Sequence, residues 1–234
     1  MSLISDNLQA VLSDIRSSAI AANRDPEPIR LLAVSKTFGP EAVVEAFKSG
    51  QLAFGENYLQ EALDKMAAVK NMLPAAHLEW HFIGPIQSNK TRPIAEHFSW
   101  VHSIDREKIA NRLSEQRPAD MAPLNICLQV NISGEESKGG VLAEETLEIA
   151  KRIADLPRLK FRGLMAIPRP TDNEQEQRLA FRRLNELNQQ LIENGVPVDT
   201  LSMGMSSDLH AAIAEGSTML RIGTAIFGSR NYAK

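Results

Sequence analysis

At 234 residues the chain has room for two small domains or for one α/β barrel. Its composition, 43% apolar and 24% charged with a formal charge of -3, is that of a globular protein and offers no field of either sign to gather nucleic acid. The single cysteine, Cys127, has no partner for an internal disulfide and no neighbours at metal-ligand spacing, so it reads as a core residue. Asp6 and Asp14 break up the first apolar residues as a signal peptide would not allow, and no run approaches membrane-spanning length. The expected location is the cytoplasm.

In chain order, Leu8, Val11, Leu12, Ile15 and Ala19 recur at helical spacing after a capping candidate at Ser5, and Pro26 and Pro28 close this opening helix. Short strand-like runs then alternate with helix-like ones. "IRLLAVS" precedes a helix from Pro40 to Lys48, "LAFG" one from Tyr58 to Met72, and "LEWHFIG" one from Lys90 to Phe98. "WVHSI", "PLNICLQVNI", "LKFRGLMAI", "DTLSMG" and "TMLRIG" continue the pattern. Eight such strands predict a (β/α)8 barrel with an extra N-terminal helix, and the short loops predict one domain over residues 1–234. An open doubly wound sheet shares the alternation, but its Gly-rich phosphate turn is missing after the first strand. The basic cluster "KRIADLPRLKFR", Lys151 to Arg162, lacks aromatic interleaving and reads as a solvated face.

In this fold the active site is built where strands end at the C-terminal mouth. Those ends deliver Lys36, then Glu56 and Asn57, then Gly84, Gln87, Asn89 and Lys90, followed by Asn131, Met165, "SMGMSSD" and Arg221 with "IGTAIFG". Ser202, Gly204, Ser206, Ser207, Gly223 and Thr224 supply glycines and hydroxyls after strands seven and eight, where barrels hold phosphate, with a helix expected to start near Ser207. Ser206 or Ser207 could instead be spent as that helix's cap, with Asp208 in its first turn. A lysine partly desolvated at a strand end has a lowered pKa, and its neutral amine can attack an aldehyde. An aldehyde that also carries a phosphate is pyridoxal 5′-phosphate (PLP), and Arg221 would lie near its pyridine nitrogen.

"LLAVSKT", "FGENYLQEA", "EWHFIGPIQSNK", "RGLMAIP", "LSMGMSSD" and "MLRIGTAIFG", in this order from about Ile29 to Arg230, closely resemble the motifs of the YggS/PROSC family of pyridoxal-phosphate homeostasis proteins. The resemblance implies the alanine racemase N-terminal barrel, PLP fold type III, with the cofactor held as a Schiff base on Lys36. It further implies that Asn57 and Met165 line the cofactor ring and that Arg221 faces the pyridine nitrogen. Ser206, Gly223 and Thr224 would bind phosphate, with Gly204 and Met205 close by. Phe38 stands where some members have a second lysine. The function implied is reversible PLP holding and delivery to PLP-dependent apo-enzymes, without rapid turnover. No unusual apolar surface run demands an oligomer, so a monomer is expected. A PLP-dependent racemase or a lysine Schiff-base aldolase are the alternatives.

The related racemases place a tyrosine from a β-rich second domain opposite the lysine. Here the chain stops at Lys234, and its two tyrosines, Tyr58 and Tyr232, are no obvious replacement, so racemisation is expected to be slow. His81 is read as a hydrogen-bonded structural residue rather than a general base, and Trp80 and Trp100 as packing residues. Lys138 is read as solvated, and Asp105 with Glu107 as a helix's first turn.

Overall fold

In a computed structural model of the chain, which describes residues 3–135 and 139–229, eight parallel strands close into a barrel in sequential order. They are β1 (Arg30–Val34), β2 (Ala53–Glu56), β3 (Glu79–Phe82), β4 (Trp100–Ile104), β5 (Leu124–Gln129), β6 (Leu159–Met165), β7 (Thr200–Ser202) and β8 (Met219–Ile222). Each run marked in the sequence contains its strand except "LAFG", which β2 outruns by one residue, Glu56. β1 pairs with both β2 and β8, so no strand is left with an open edge.

The strands are buried on both faces because helices wrap the outside. The helices are α1 (Leu3–Ala21), α2 (Pro40–Lys48), α3 (Leu59–Met72), α4 (Thr91–His97), α5 (Glu107–Gln116), α6 (Thr146–Ala154), α7 (Glu174–Glu193), α8 (Leu209–Ala214) and α9 (Thr224–Phe227). α1 buries Leu8, Val11, Ile15 and Ala19, four residues on one helical face, against α2, α8 and α9. Ser5 lies inside the first turn of α1 rather than capping it, because the helix begins two residues earlier.

Period-2 alternation divides each strand between two cores. Outward residues such as Ala33, Phe54, Phe82, Val101, Leu164, Leu201 and Leu220 join the large core under the helices. Inward ones, Leu32, Ala53, Trp100, Cys127, Met165 and Met219, form a separate small core inside the barrel. Cys127 is fully buried there, and burial pushes its thiol up to about 12. Trp80 faces outward onto Phe54, with ring centroids 5.7 Å apart.

The basic cluster behaves in two ways. Arg152 is exposed and pairs with Glu107 at 2.7 Å, but Arg162 turns into the closed end of the barrel, 4.6 Å over the Trp100 ring. There it donates to Asn125 Oδ1 at 2.9 Å and pairs with Asp199 at 2.8 Å. Asp105 caps nothing: it pairs with Arg106, which holds the N-cap position of α5. No described helix is long and apolar enough to cross a membrane.

Candidate functional site

Along β1 the inward positions are Arg30, Leu32 and Val34, and one more step of two delivers Lys36 just beyond the strand, at the mouth. It lines a cavity of about 420 Å³, within the roughly 300–1,000 Å³ usual for small-molecule sites. Asn57, directly after β2, stands beside it, and Val34, Ile83 and Ile167 give apolar walls. Arg221 lines the cavity from β8, and Met205, Ser206, Ser207, Gly223 and Thr224 close the far side. A larger surface groove of about 530 Å³ against α1 and α8 has no lysine to meet an aldehyde.

Arg221 is buried and held rigidly from behind. Its Nη1 donates to the Ser202 carbonyl at 2.6 Å and to Ser202 Oγ at 2.8 Å, and its Nη2 donates to the Ala166 carbonyl at 2.9 Å. Burial lowers its pKa to about 10, still high enough to keep it cationic at neutral pH. From Ser202 a line of polar side chains runs down the barrel interior. Ser202 Oγ meets His102 Nδ1 at 2.7 Å, His102 Nε2 meets His81 Nδ1 at 2.8 Å, and His81 Nε2 meets Glu79 Oε1 at 2.8 Å. Glu79 also pairs with Arg30 at the closed end.

One carboxylate orders the protons along this line. Burial pushes Glu79 up, but the hydrogen bond from His81 and the charge of Arg30 outweigh it and hold the group below the usual carboxylate range. Glu79 is therefore an acceptor, and His81 must donate from Nε2. Burial pulls both histidines below their usual value, His102 well below it, so they are neutral and carry one proton each. His81 Nδ1 then accepts from His102 Nε2–H, and His102 Nδ1 accepts from the Ser202 hydroxyl, which in turn accepts from Arg221. Every donor points away from the mouth.

On the far side of the cavity, the peptide N–H groups and hydroxyls of Ser206, Ser207 and Thr224 make no hydrogen bond among the described residues. α8 starts later than the sequence suggested: Asp208 occupies its N-cap, and Ser206 and Ser207 form the turn before it. The serine hydroxyls are thus left over rather than used in capping. At six residues α8 is too short for its dipole to matter much, so the donors must do the work. The turn is fixed by Asp208 Oδ1, which accepts the Met205 N–H at 2.6 Å, and by Gly204 at φ +100°. A Cβ on Gly204 would lie 2.6 Å from both Ala212 Cβ and Leu220 Cδ2. Unused donors opposite an amine, with a buried arginine between, are the donor set that a phosphorylated aldehyde needs.

The family model described as alanine racemase, N-terminal domain, matches residues 7–231. The Pseudomonas aeruginosa protein named pyridoxal phosphate homeostasis protein is 59% identical over 232 residues, 99% of this chain and 98% of that one. This chain belongs to the family of pyridoxal phosphate homeostasis proteins. The Escherichia coli member is 51% identical over 234 residues, covering 100% of both chains. The fold matches that of PipY from Synechococcus elongatus, solved with PLP bound, at a TM-score of 0.82 and 33% identity over 96% of this chain and 100% of that one.

Of the ten residues marked in the sequence, Lys36, Asn57, Met205, Ser206, Arg221, Gly223 and Thr224 line one cavity. Met165, Ser202 and Gly204 are buried behind it. His81 is a fully buried link in the polar line. Lys138 and Tyr232 lie outside the described residues. His102, Glu79, Arg30 and Lys65 went unmarked. Glu79, His81 and His102 are polar residues at inward strand positions, and that pattern could have found them. No group of three His, Cys, Asp or Glu among the described residues could hold a metal ion.

Proposed function

We propose that this chain binds PLP reversibly through Lys36, buffers it, and hands it to PLP-dependent apo-enzymes. The observation that carries the reading is the placement of Lys36 and the unused donors of Ser206, Ser207 and Thr224 in one cavity with Arg221. When bound, the cofactor supplies an electrophilic aldehyde and a phosphate close to a dianion. Lys36 captures the aldehyde as a Schiff base. Ser206, Ser207, Gly223 and Thr224 hold the phosphate through hydroxyls and peptide N–H groups.

Arg221 orients the ring by its nitrogen. Being cationic and committed to Ser202 and Ala166, it keeps that nitrogen unprotonated, which weakens the ring as an electron sink and suits holding over turnover. Asn57, Met205, Val34 and Ile83 confine the ring. Met165 backs the cavity wall, Ser202 holds Arg221, and Gly204 shapes the phosphate turn. The protein acts as a cytoplasmic, single-domain monomer.

The test is borohydride reduction of the PLP-loaded protein, followed by peptide mapping. The label is expected on Lys36, and Lys36→Ala should stay folded and colourless, since a rim amine adds little packing. A reduced adduct on another lysine, or a protein that takes up no PLP, would overturn the reading.

A further inference from the structure

Lys36 sits at the second position of a tight turn in which the Phe38 N–H donates to the Ser35 carbonyl at 3.1 Å. The third position is Thr37, at φ +70°. A positive φ there is the pattern of a type II turn, where glycine is the usual residue, and a β-branched side chain is strained in it. Such strain persists only where the surroundings impose it.

The imposing contacts form a closed ring around the turn. Ser35 Oγ donates to Glu56 Oε1 at 2.6 Å, and Lys65 Nζ donates to the same oxygen at 2.7 Å. Lys65 also donates to the Ser35 carbonyl at 2.8 Å and to Glu61 Oε1 at 3.0 Å. Glu61 Oε1 accepts the Thr37 N–H at 2.6 Å. The ring leaves the backbone at Ser35 and returns at Thr37, so it brackets Lys36 alone. All three ammonium protons of Lys65 are used, each on a residue beside Lys36 or on a carboxylate bonded to one. Lys65 is 4% exposed and Glu56 is fully buried, with its Oε2 unpartnered. A buried pair of this kind adds little net stability over an apolar pair, so its worth lies in what it holds.

We propose that Lys65 is a positioning residue for Lys36: with Glu56 and Glu61 it locks the strained turn so that the amine faces the cavity in one orientation. The inference rests on the proposed PLP site. It predicts that loosening the ring slows aldehyde capture while leaving the phosphate and ring contacts as they were.

Three variants test it: Lys65→Met, which keeps the stem and removes all three bonds, Glu61→Ala, which frees the Thr37 N–H and one of the three Lys65 protons, and Glu61→Gln, which keeps an oxygen for both. Two ligands are compared, PLP by the rate at which its visible absorption changes on mixing, and pyridoxine 5′-phosphate, which has no aldehyde, by equilibrium titration. Capture of PLP should slow by about tenfold or more in Lys65→Met and about threefold in Glu61→Ala, the scale of a loosened reacting geometry, and recover in Glu61→Gln. Binding of pyridoxine 5′-phosphate should hold in all three. Because the Glu61 side chain is 34% exposed, its two variants carry the test even if Lys65→Met does not fold. Unchanged capture in Glu61→Ala, or equal loss of both ligands, overturns the proposal. A parent protein that captures no PLP would sink the site reading itself, a distinct outcome.

Discussion

Removing one hydroxyl, by Ser202→Ala, should cost the protein about 3 kcal/mol. Ser202 is fully buried and lies between Arg221 Nη1 at 2.8 Å and His102 Nδ1 at 2.7 Å. The bond from a guanidinium is charge-assisted, worth roughly 1.5–3 kcal/mol, and the one to a neutral imidazole roughly 1 kcal/mol. Arg221 keeps its bond to the Ser202 carbonyl, which limits the first loss, whereas His102 Nδ1 is left as a buried acceptor with nothing to accept. For a chain of this length about 3 kcal/mol lowers Tm by roughly 6–12 °C. Urea unfolding followed by circular dichroism measures it, and the midpoint should fall with the slope unchanged. A loss below about 1 kcal/mol, no larger than an exposed serine substitution gives, would show that the polar line is not bonded as described.

Stability should also fall as pH drops below about 6.5: His81 and His102 are neutral when folded and take up protons when unfolded, so unfolding absorbs up to about one proton per histidine. At pH 8 the unfolded histidines are neutral too and the effect is absent, and urea midpoints that stay flat from pH 8 to 5.5 would contradict it. A Cβ at Gly84 would come within 2.2 Å of the Asn57 carbonyl oxygen, so Gly84→Ala must displace Asn57, and PLP affinity should drop about tenfold, or ~1.4 kcal/mol. Ser206→Ala or Thr224→Ala should weaken PLP by about 1–2 kcal/mol and leave pyridoxal, which lacks the phosphate, untouched. Equal losses for both ligands would make these hydroxyls structural. With L-alanine in deuterated water the loaded protein should exchange the α-proton well below about one turnover per second, and faster exchange by NMR would favour a racemase.

All eight strands were legible because a barrel strand covered on both faces is written as an unbroken apolar run, and its helices as amphipathic ones. The mouth was legible for the same reason: a polar residue ending such a run, as Lys36 and Arg221 do, has only one place to go. Helix starts were less so. Ser5 and Ser206 have cap chemistry, yet α1 begins before the first and α8 after the second, since cap chemistry alone marks a helix start only to within a few residues. The polar line was not legible at all as a line. His81 and His102 are 21 residues apart and Ser202 is another 100 away, and only closure of the barrel brings three strands' inward positions into contact. Lys65 reaches Ser35 from a helix 30 residues on, through a strand–helix packing that no local spacing encodes.

The lone thiol inside the barrel gives the protein a clock. Cys127 is out of reach of solvent and, at about 12, almost never a thiolate, so both conditions for reaction with an alkylating or disulfide reagent are denied while the barrel is closed. β5 lies between β4 and β6 in a sheet with no free edge, so the thiol cannot be uncovered by fraying a strand at the rim. Its labelling must therefore count barrel openings, one event at a time. A ligand that binds only the closed form would slow that count in proportion to its occupancy, and the chain would record its own cargo without any added probe.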